Sequence, residues 1–285
     1  MPTRIELRLK ATWTVRPDTR QLHGLACALF EGDAVAGDEH LGQEKPWSVA
    51  PLRPLPGAGP GEWAWRVAWL PDRAPPLSHL DADSIRIGHT SCVVVETSQR
   101  RVTRTVMASG PALRGVTVEF GSPTYFSRNG ADTAVPDPRL IVGSWRRRWN
   151  AWLPDGDPLA IGEDNWQELQ RSLGLTSFDL HTEAMESGHG KDRAGFAGRA
   201  TIALARDSSP AQRKSLGALA RFAEYSGTGA QTTHGFGVTS LLPPRMPAEA
   251  THRDRQPPVS RARTAVPANR LDSRRARTQS RRPRP

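Results

Sequence analysis

Residues 227–237 form a glycine-rich segment that constrains the fold more than any other stretch of the chain. The segment reads Gly-Thr-Gly-Ala-Gln-Thr-Thr-His-Gly-Phe-Gly and contains four glycines, Gly227, Gly229, Gly235 and Gly237. Glycine adopts positive-φ backbone easily and lacks the Cβ that blocks close approach. A dinucleotide-binding loop follows a strand and precedes a helix, whereas here a helical pattern comes first, which argues against a nucleotide cofactor. Two interpretations remain open: N–H groups that bind phosphate oxygens, or a tight helix-to-strand turn.

The net charge of +10 is concentrated at the C-terminal end of the sequence. Residues 243–285 contain twelve arginines against three acidic residues and show no hydrophobic period. We expect this tail to be disordered. It would either attract nucleic acid non-specifically or be a dispensable extension. The rest of the chain is nearly neutral, so anion affinity there must come from local patches.

The two cysteines, Cys27 and Cys92, form no CxxC pair, so neither a zinc ribbon nor a disulfide framework is encoded. The charged N-terminal segment does not have the pattern of a signal peptide. No stretch reaches the roughly 18 apolar residues that a membrane span needs. The sequence therefore predicts a cytoplasmic protein that does not bind a membrane.

The second half has the pattern of a ferredoxin-like β-α-β-β-α-β unit. Its predicted elements, in order, are strand 116–120, helix 136–152, strands 178–183 and 195–205, helix 208–225 and strand 236–242. The Gly-Ser-Pro-Thr sequence after residue 120 is expected to end the first of these strands. The first half predicts a similar unit with a degraded second helix, and residues 102–107 have the composition of a strand. We therefore expect an α+β fold with two tandem ferredoxin-like domains, followed by the disordered basic tail; the predicted boundaries are 1–115, 116–242 and 243–285.

Three segments of the second half carry a family resemblance. They are Phe120-Gly-Ser-Pro-Thr-Tyr-Phe-Ser-Arg-Asn-Gly130 with the helix that follows it, Gly195-Phe-Ala-Gly198, and Leu219 through Gly237. With these segments the chain resembles the CRISPR repeat-processing endoribonucleases of the RAMP superfamily, which release guide RNAs from a precursor transcript. The resemblance implies two ferredoxin-like domains side by side, with RNA held across their surface. The tail has no counterpart in the family pattern.

The resemblance also implies metal-independent cleavage, in which the ribose 2′-OH attacks the adjacent phosphate and leaves a 2′,3′-cyclic phosphate and a 5′-OH. The sequence contains no dense Asp, Glu and His cluster at metal-ligand spacing, and we expect no cofactor. His40, on a polar loop a few residues before Pro46-Trp47, stands where the family's usual histidine stands and is the predicted proton-transfer group. His23 on the first helix and Lys45 are the predicted assistants; each could instead be an ordinary histidine or a solvated lysine.

Several residues are predicted to contact RNA. The glycine loop would bind the RNA backbone or support the surface that does, and His234 within it is expected to have a spacing or RNA-contact role. Basic and polar side chains of the second half form the remaining candidates: Arg128, Asn129, Arg146 and Arg147. A basic run such as 146–148 can equally be a solvated helix face.

Three function classes compete. The first is an endoribonuclease specific for CRISPR repeat RNA, either hairpin or unstructured. The second is a non-catalytic RAMP subunit that holds guide RNA in a ribonucleoprotein complex, which would not require His40. The third is a general RNA-binding protein that acts through the arginine-rich tail. Effector-complex subunits and a second copy of the chain are further predicted partners.

Overall fold

The computed structural model describes residues 1–13, 17–31, 44–57, 59–77, 83–186 and 192–243. From residue 244 onwards, the predicted tail therefore lies outside the described residues. Residues 1–244 group into one compact unit with two antiparallel sheets. The mixed α and β architecture predicted from the sequence is confirmed.

The N-terminal half is built on a sheet with the strand order β2-β4-β1-β6-β5, and β3 also pairs with β4. Its elements are β1 (Thr3–Lys10), α1 (Thr19–Glu31), β2 (Trp47–Val49), β3 (Arg53–Pro54), β4 (Glu62–Trp69), β5 (Ser84–Ile87), β6 (Thr90–Arg101) and α2 (Arg104–Ser109). The alternation in β1 buries Ile5, Leu7 and Leu9 on one face of the strand. These side chains form one core with apolar residues of α1 and the tryptophans of β2 and β4.

The C-terminal half has the strand order β10-β11-β7-β12, which is that of a ferredoxin-like unit. Its elements are β7 (Gly115–Thr124), β8 (Phe126–Arg128), β9 (Ala131–Thr133), α3 (Pro138–Ala151), α4 (Glu163–Ser172), β10 (Leu173–Glu186), β11 (Asp192–Leu204), α5 (Pro210–Ser226), a short 3₁₀ turn (Thr232–His234) and β12 (Thr239–Leu242). α5 begins at a capping box formed by Ser209 and Gln212, and α3 begins at Asp137. Both helices bury their apolar faces against the sheet.

Three local predictions were wrong. Residues 102–107 do not form a strand, because Thr103 accepts a hydrogen bond from the Val106 N–H and starts the short helix α2. The Gly-Ser-Pro-Thr stretch does not end β7, which runs on to Thr124. In place of a degraded second helix, the described residues between β4 and β6 form strand β5, which makes a hairpin with β6.

A buried cation joins the two halves. Arg104 of α2 is fully buried, and its Nη1 lies 3.0 Å from a carboxylate oxygen of Asp72, in the loop after β4. Its guanidinium lies 5.5 Å from the ring centre of Trp149 and 5.1 Å from that of Phe222. This arginine therefore connects the end of the first sheet to α3 and α5.

Candidate active site and nucleic-acid interface

The four glycines of residues 227–237 are buried and all have positive φ, between 67° and 88°. A Cβ on Gly237 would overlap the Thr228 carbonyl, a Cβ on Gly229 would overlap the Tyr125 carbonyl, and a Cβ on Gly227 would lie 2.9 Å from the Gly237 oxygen. The glycines thus allow the loop to fold tightly on itself and on Tyr125, the residue after β7.

Three of the four loop glycines donate their backbone N–H groups to partners within the protein. Gly227 donates to Ala223 O at 2.9 Å, Gly237 to Pro123 O at 3.0 Å, and Gly229 to the Ser144 hydroxyl at 3.1 Å. These three N–H groups therefore do not form the phosphate cradle that the sequence left open. The half-exposed part of the loop, which includes His234, is the part that a ligand can reach.

Two histidines from opposite halves of the chain stack at this loop. The rings of His23, on α1, and His234 are 4.0 Å apart between centres and inclined by only 10°. The His23 Nδ1 lies 2.9 Å from the Thr233 carbonyl oxygen, so Nδ1 is the nitrogen that carries the proton in the neutral tautomer. Trp47 at the start of β2 contacts His23 as well, at 5.0 Å between ring centres. The structure thus brings together His23 and His234, which the sequence had assigned to different roles.

His40 lies outside the described residues, in the segment 32–43. Lys45, two residues after that segment, is half-buried, and its carbonyl oxygen accepts a hydrogen bond from Arg148 at 3.3 Å. The described chain resumes at Glu44, whose carboxylate is 3.5 Å from the Nε of Arg147. The structure therefore places Lys45 two residues before Trp47, which contacts His23.

An open groove of about 530 Å³ runs along α3. Its walls come from β8, α3, α4 and the loop residues Gly229 and Ala230, and four arginines line it: Arg128, Arg139, Arg146 and Arg147. Arg146 donates to Ile161 O at 2.9 Å, pairs with Glu163 at 3.0 Å and lies 5.4 Å from the ring centre of Trp166. No acidic side chain lines the groove among the described residues. It is therefore suited to a polyanion.

Four of the residues predicted to contact RNA line the groove, and other groove residues were missed. Arg128, Arg146, Arg147 and Gly229 lie in it, whereas Asn129 forms the exposed β8–β9 turn, with a φ of 50°. Arg139 and Trp166 were not predicted. Arg139 stands in one of the family-like segments, which could have pointed to it. α4, which carries Trp166, was not predicted at all.

Within the described ranges, no three His, Cys, Asp or Glu side chains come together in a way that could hold a metal ion. The same ranges contain no helix that is both long and apolar enough to cross a membrane.

The family model and the curated relative that match this chain carry the same family name. Residues 118–239 match the model of the CRISPR-associated endoribonuclease Cas6 family. A CRISPR-associated endoribonuclease Cas6 of Mycobacterium tuberculosis is 31% identical over 136 residues, which are 47% of this chain and 40% of the relative. The match thus spans less than half the length of that relative.

Solved structures extend the similarity over most of the chain. A Cas6 product complex has a TM-score of 0.69 and 28% identity, and the match covers 85% of this chain and 100% of the other. Thermus thermophilus Cas6 has a TM-score of 0.65 and 25% identity, with 85% and 98% covered. A Cas6 substrate mimic complex has a TM-score of 0.64 and 26% identity, with 84% and 99% covered. The family model, the relative and these structures all show the same similarity: the chain resembles CRISPR-associated Cas6 endoribonucleases in sequence over residues 118–239 and in fold over most of its length.

Proposed function

We propose that this protein cleaves CRISPR precursor RNA within its repeats and releases guide RNAs. The observation that carries the proposal is that the loop that bears His234, one of the stacked histidines, also forms part of the wall of the arginine-lined groove. Arg147 lines the groove and contacts Glu44, while Gly229 and Ala230 of the groove wall belong to the same loop as His234. RNA phosphates in the groove would lead the chain of the substrate towards the imidazoles.

The proposed reaction is metal-independent. The ribose 2′-OH attacks the adjacent phosphorus, the 5′-oxygen leaves, and the products carry a 2′,3′-cyclic phosphate and a 5′-OH. A base must take the 2′-OH proton, an acid must give a proton to the 5′-oxygen, and a cation must stabilise the added negative charge on the phosphoryl oxygens. Imidazole suits both proton transfers at neutral pH because its ordinary pKa is about 6.5.

In this proposal His40 and His23 are the proton-transfer groups, and Lys45 stabilises the phosphoryl charge. Support for His23 comes from its fixed orientation, since both the Thr233 carbonyl and the His234 ring hold it. Support for Lys45 comes from its position two residues before Trp47, whose ring contacts His23. His40 rests on the family resemblance and on its position in the chain, five residues before Lys45.

RNA would be bound by the groove and the exposed part of the glycine loop. Arg128, Arg146 and Arg147 supply positive charge, to which Arg139 is now added. The half-buried Trp166 offers an apolar surface of the kind on which unpaired bases stack. Effector-complex subunits, a homodimer and a cytoplasmic location stay predictions.

The test is a cleavage assay in EDTA with the CRISPR repeat RNA of the same genome. Wild-type protein is compared with the variants His40→Ala, His23→Ala and Lys45→Ala. His89→Ala, which alters an exposed histidine in the β5–β6 turn, is the matched control and should cleave like the wild type. We expect a single cut with a cyclic phosphate end, and rate losses of about 10²–10⁴-fold for removal of a proton-transfer histidine.

A second RNA tests the nucleophile. It carries a single 2′-deoxy nucleotide at the cut site and should bind normally but resist cleavage. Cleavage of this RNA, or activity that requires added metal ion, would contradict the proposed mechanism. Tight binding of the unmodified repeat without any cut would favour the alternative, a non-catalytic RAMP subunit that binds guide RNA.

A further inference from the structure

Three consecutive arginines on α3 have three different environments. Arg146 lines the groove against Trp166 and forms an ion pair with Glu163, which does not line it. Arg147 is largely exposed, with 63% of its side chain accessible. Arg148, by contrast, is only 5% exposed. A run that looks uniform in the sequence therefore contains one residue that RNA in the groove cannot reach.

The Arg148 guanidinium donates to groups from both halves of the chain. It bonds Trp47 O at 2.9 Å and Lys45 O at 3.3 Å, on the segment that enters β2. It also bonds the hydroxyl of Thr232, a buried residue at the start of the 3₁₀ turn. Burial lowers the pKa of Arg148 to about 10, so the group stays charged at neutral pH.

Each residue that Arg148 contacts lies on a segment that either touches or carries one of the two histidines. Trp47 packs against the His23 ring, and the 3₁₀ turn that begins at Thr232 ends at His234. Lys45 lies on the same segment as Trp47. The planar guanidinium fork can hold two backbones at fixed directions, which the single ammonium of a lysine cannot do.

We propose that Arg148 is a positioning residue for the cleavage reaction rather than an RNA ligand. It fixes residues 45–47 and the 3₁₀ turn relative to each other, and so sets the alignment of Lys45, His23 and His234. This inference rests on the proposed function. The positioning role predicts that replacing the Arg148 guanidinium slows the chemical step of cleavage and leaves the affinity for RNA unchanged.

The experiment measures, for each variant, the dissociation constant for repeat RNA and the single-turnover cleavage rate at saturating protein. Arg148→Lys keeps the charge but loses the fork, and Thr232→Val removes one acceptor without changing charge or size. We expect each to lower the single-turnover rate, by about 10- to 100-fold for Arg148→Lys, with the dissociation constant within about twofold of wild type. Arg147→Met should instead raise the dissociation constant. Arg171→Met, an exposed arginine of α4 outside the groove, is the neutral control.

The outcomes separate the two proposals. Wild-type protein that does not cut the RNA refutes the proposed function. Wild-type cleavage with unchanged rates in both Arg148→Lys and Thr232→Val overturns the positioning role. A raised dissociation constant with an unchanged rate in these variants would make Arg148 an RNA ligand instead. Thermal melting confirms that each variant is folded, and Thr232→Val carries the test if Arg148→Lys does not fold.

Discussion

The role of the glycines can be tested by comparing three glycine-to-alanine substitutions that differ in one factor at a time. Gly24 is an exposed residue inside α1, and a Cβ there would meet nothing within 4 Å. Gly156 also has open space around it, but its φ is 74°. Gly237 has a φ of 67°, and a Cβ there would overlap the Thr228 carbonyl. The set therefore separates helix propensity, backbone strain and steric overlap.

The expected changes in the free energy of unfolding differ in sign and size. Gly24→Ala should stabilise the protein by about 1 kcal/mol, since alanine is the better helix former. Gly156→Ala should cost about 1–2 kcal/mol, because an L-residue is strained at positive φ. Gly237→Ala adds a collision with backbone that cannot move aside cheaply, so its total cost should be about 2–5 kcal/mol.

Thermal melting followed by circular dichroism measures the series. Each kcal/mol corresponds to a shift of about 2–4 °C in Tm for a domain of this size. We expect the Tm of Gly24→Ala to lie above that of wild type, the Tm of Gly156→Ala below it, and the Tm of Gly237→Ala to be the lowest. If Gly237→Ala melted no lower than Gly156→Ala, close packing would not be the reason for the glycine, and the loop would have to be explained by contact with a ligand.

Two further predictions concern buried side chains. Trp145→Phe removes the 2.7 Å hydrogen bond from the indole N–H to Thr228 and some buried volume, and should cost about 2–3 kcal/mol in a denaturant titration. Trp152→Phe should cost less, because the Trp152 indole N–H finds no acceptor among the described residues. An equal cost would contradict a stabilising role for the Trp145–Thr228 hydrogen bond. Burial raises the pKa of the Cys92 thiol from 9.0 to about 11, so its contribution to stability is complete below pH 9 and is lost as the pH rises to 11. Cys92→Ala should therefore lose less stability than the wild type between pH 9 and 11, and parallel losses in the two proteins would refute this reasoning.

The fold of the C-terminal half was predictable because its signals are local. Ser209-Pro210 marks the start of α5, and the spacing of Ile141, Trp145 and Trp149 marks the buried face of α3. α4 was missed because only one of its ten residues, Leu169, is buried, which leaves little apolar periodicity to recognise. Of the candidate site residues, His23 and His234 stack on each other and three of the predicted arginines line the groove, while the role of each stays a prediction.

The sequence by itself determined the period-2 strands, the capped helices and the glycine positions, since these depend on neighbours a few residues away. Only the tertiary structure decided that His23 meets the Thr233 carbonyl, 210 residues further along the chain, and stacks on the His234 ring. It also decided that Arg148, and not Arg147, is buried, because its partners lie 84 and 101 residues away at Thr232 and Trp47. A guanidinium is buried or exposed according to the elements packed over it. That packing joins distant segments, and no local pattern in the sequence records it.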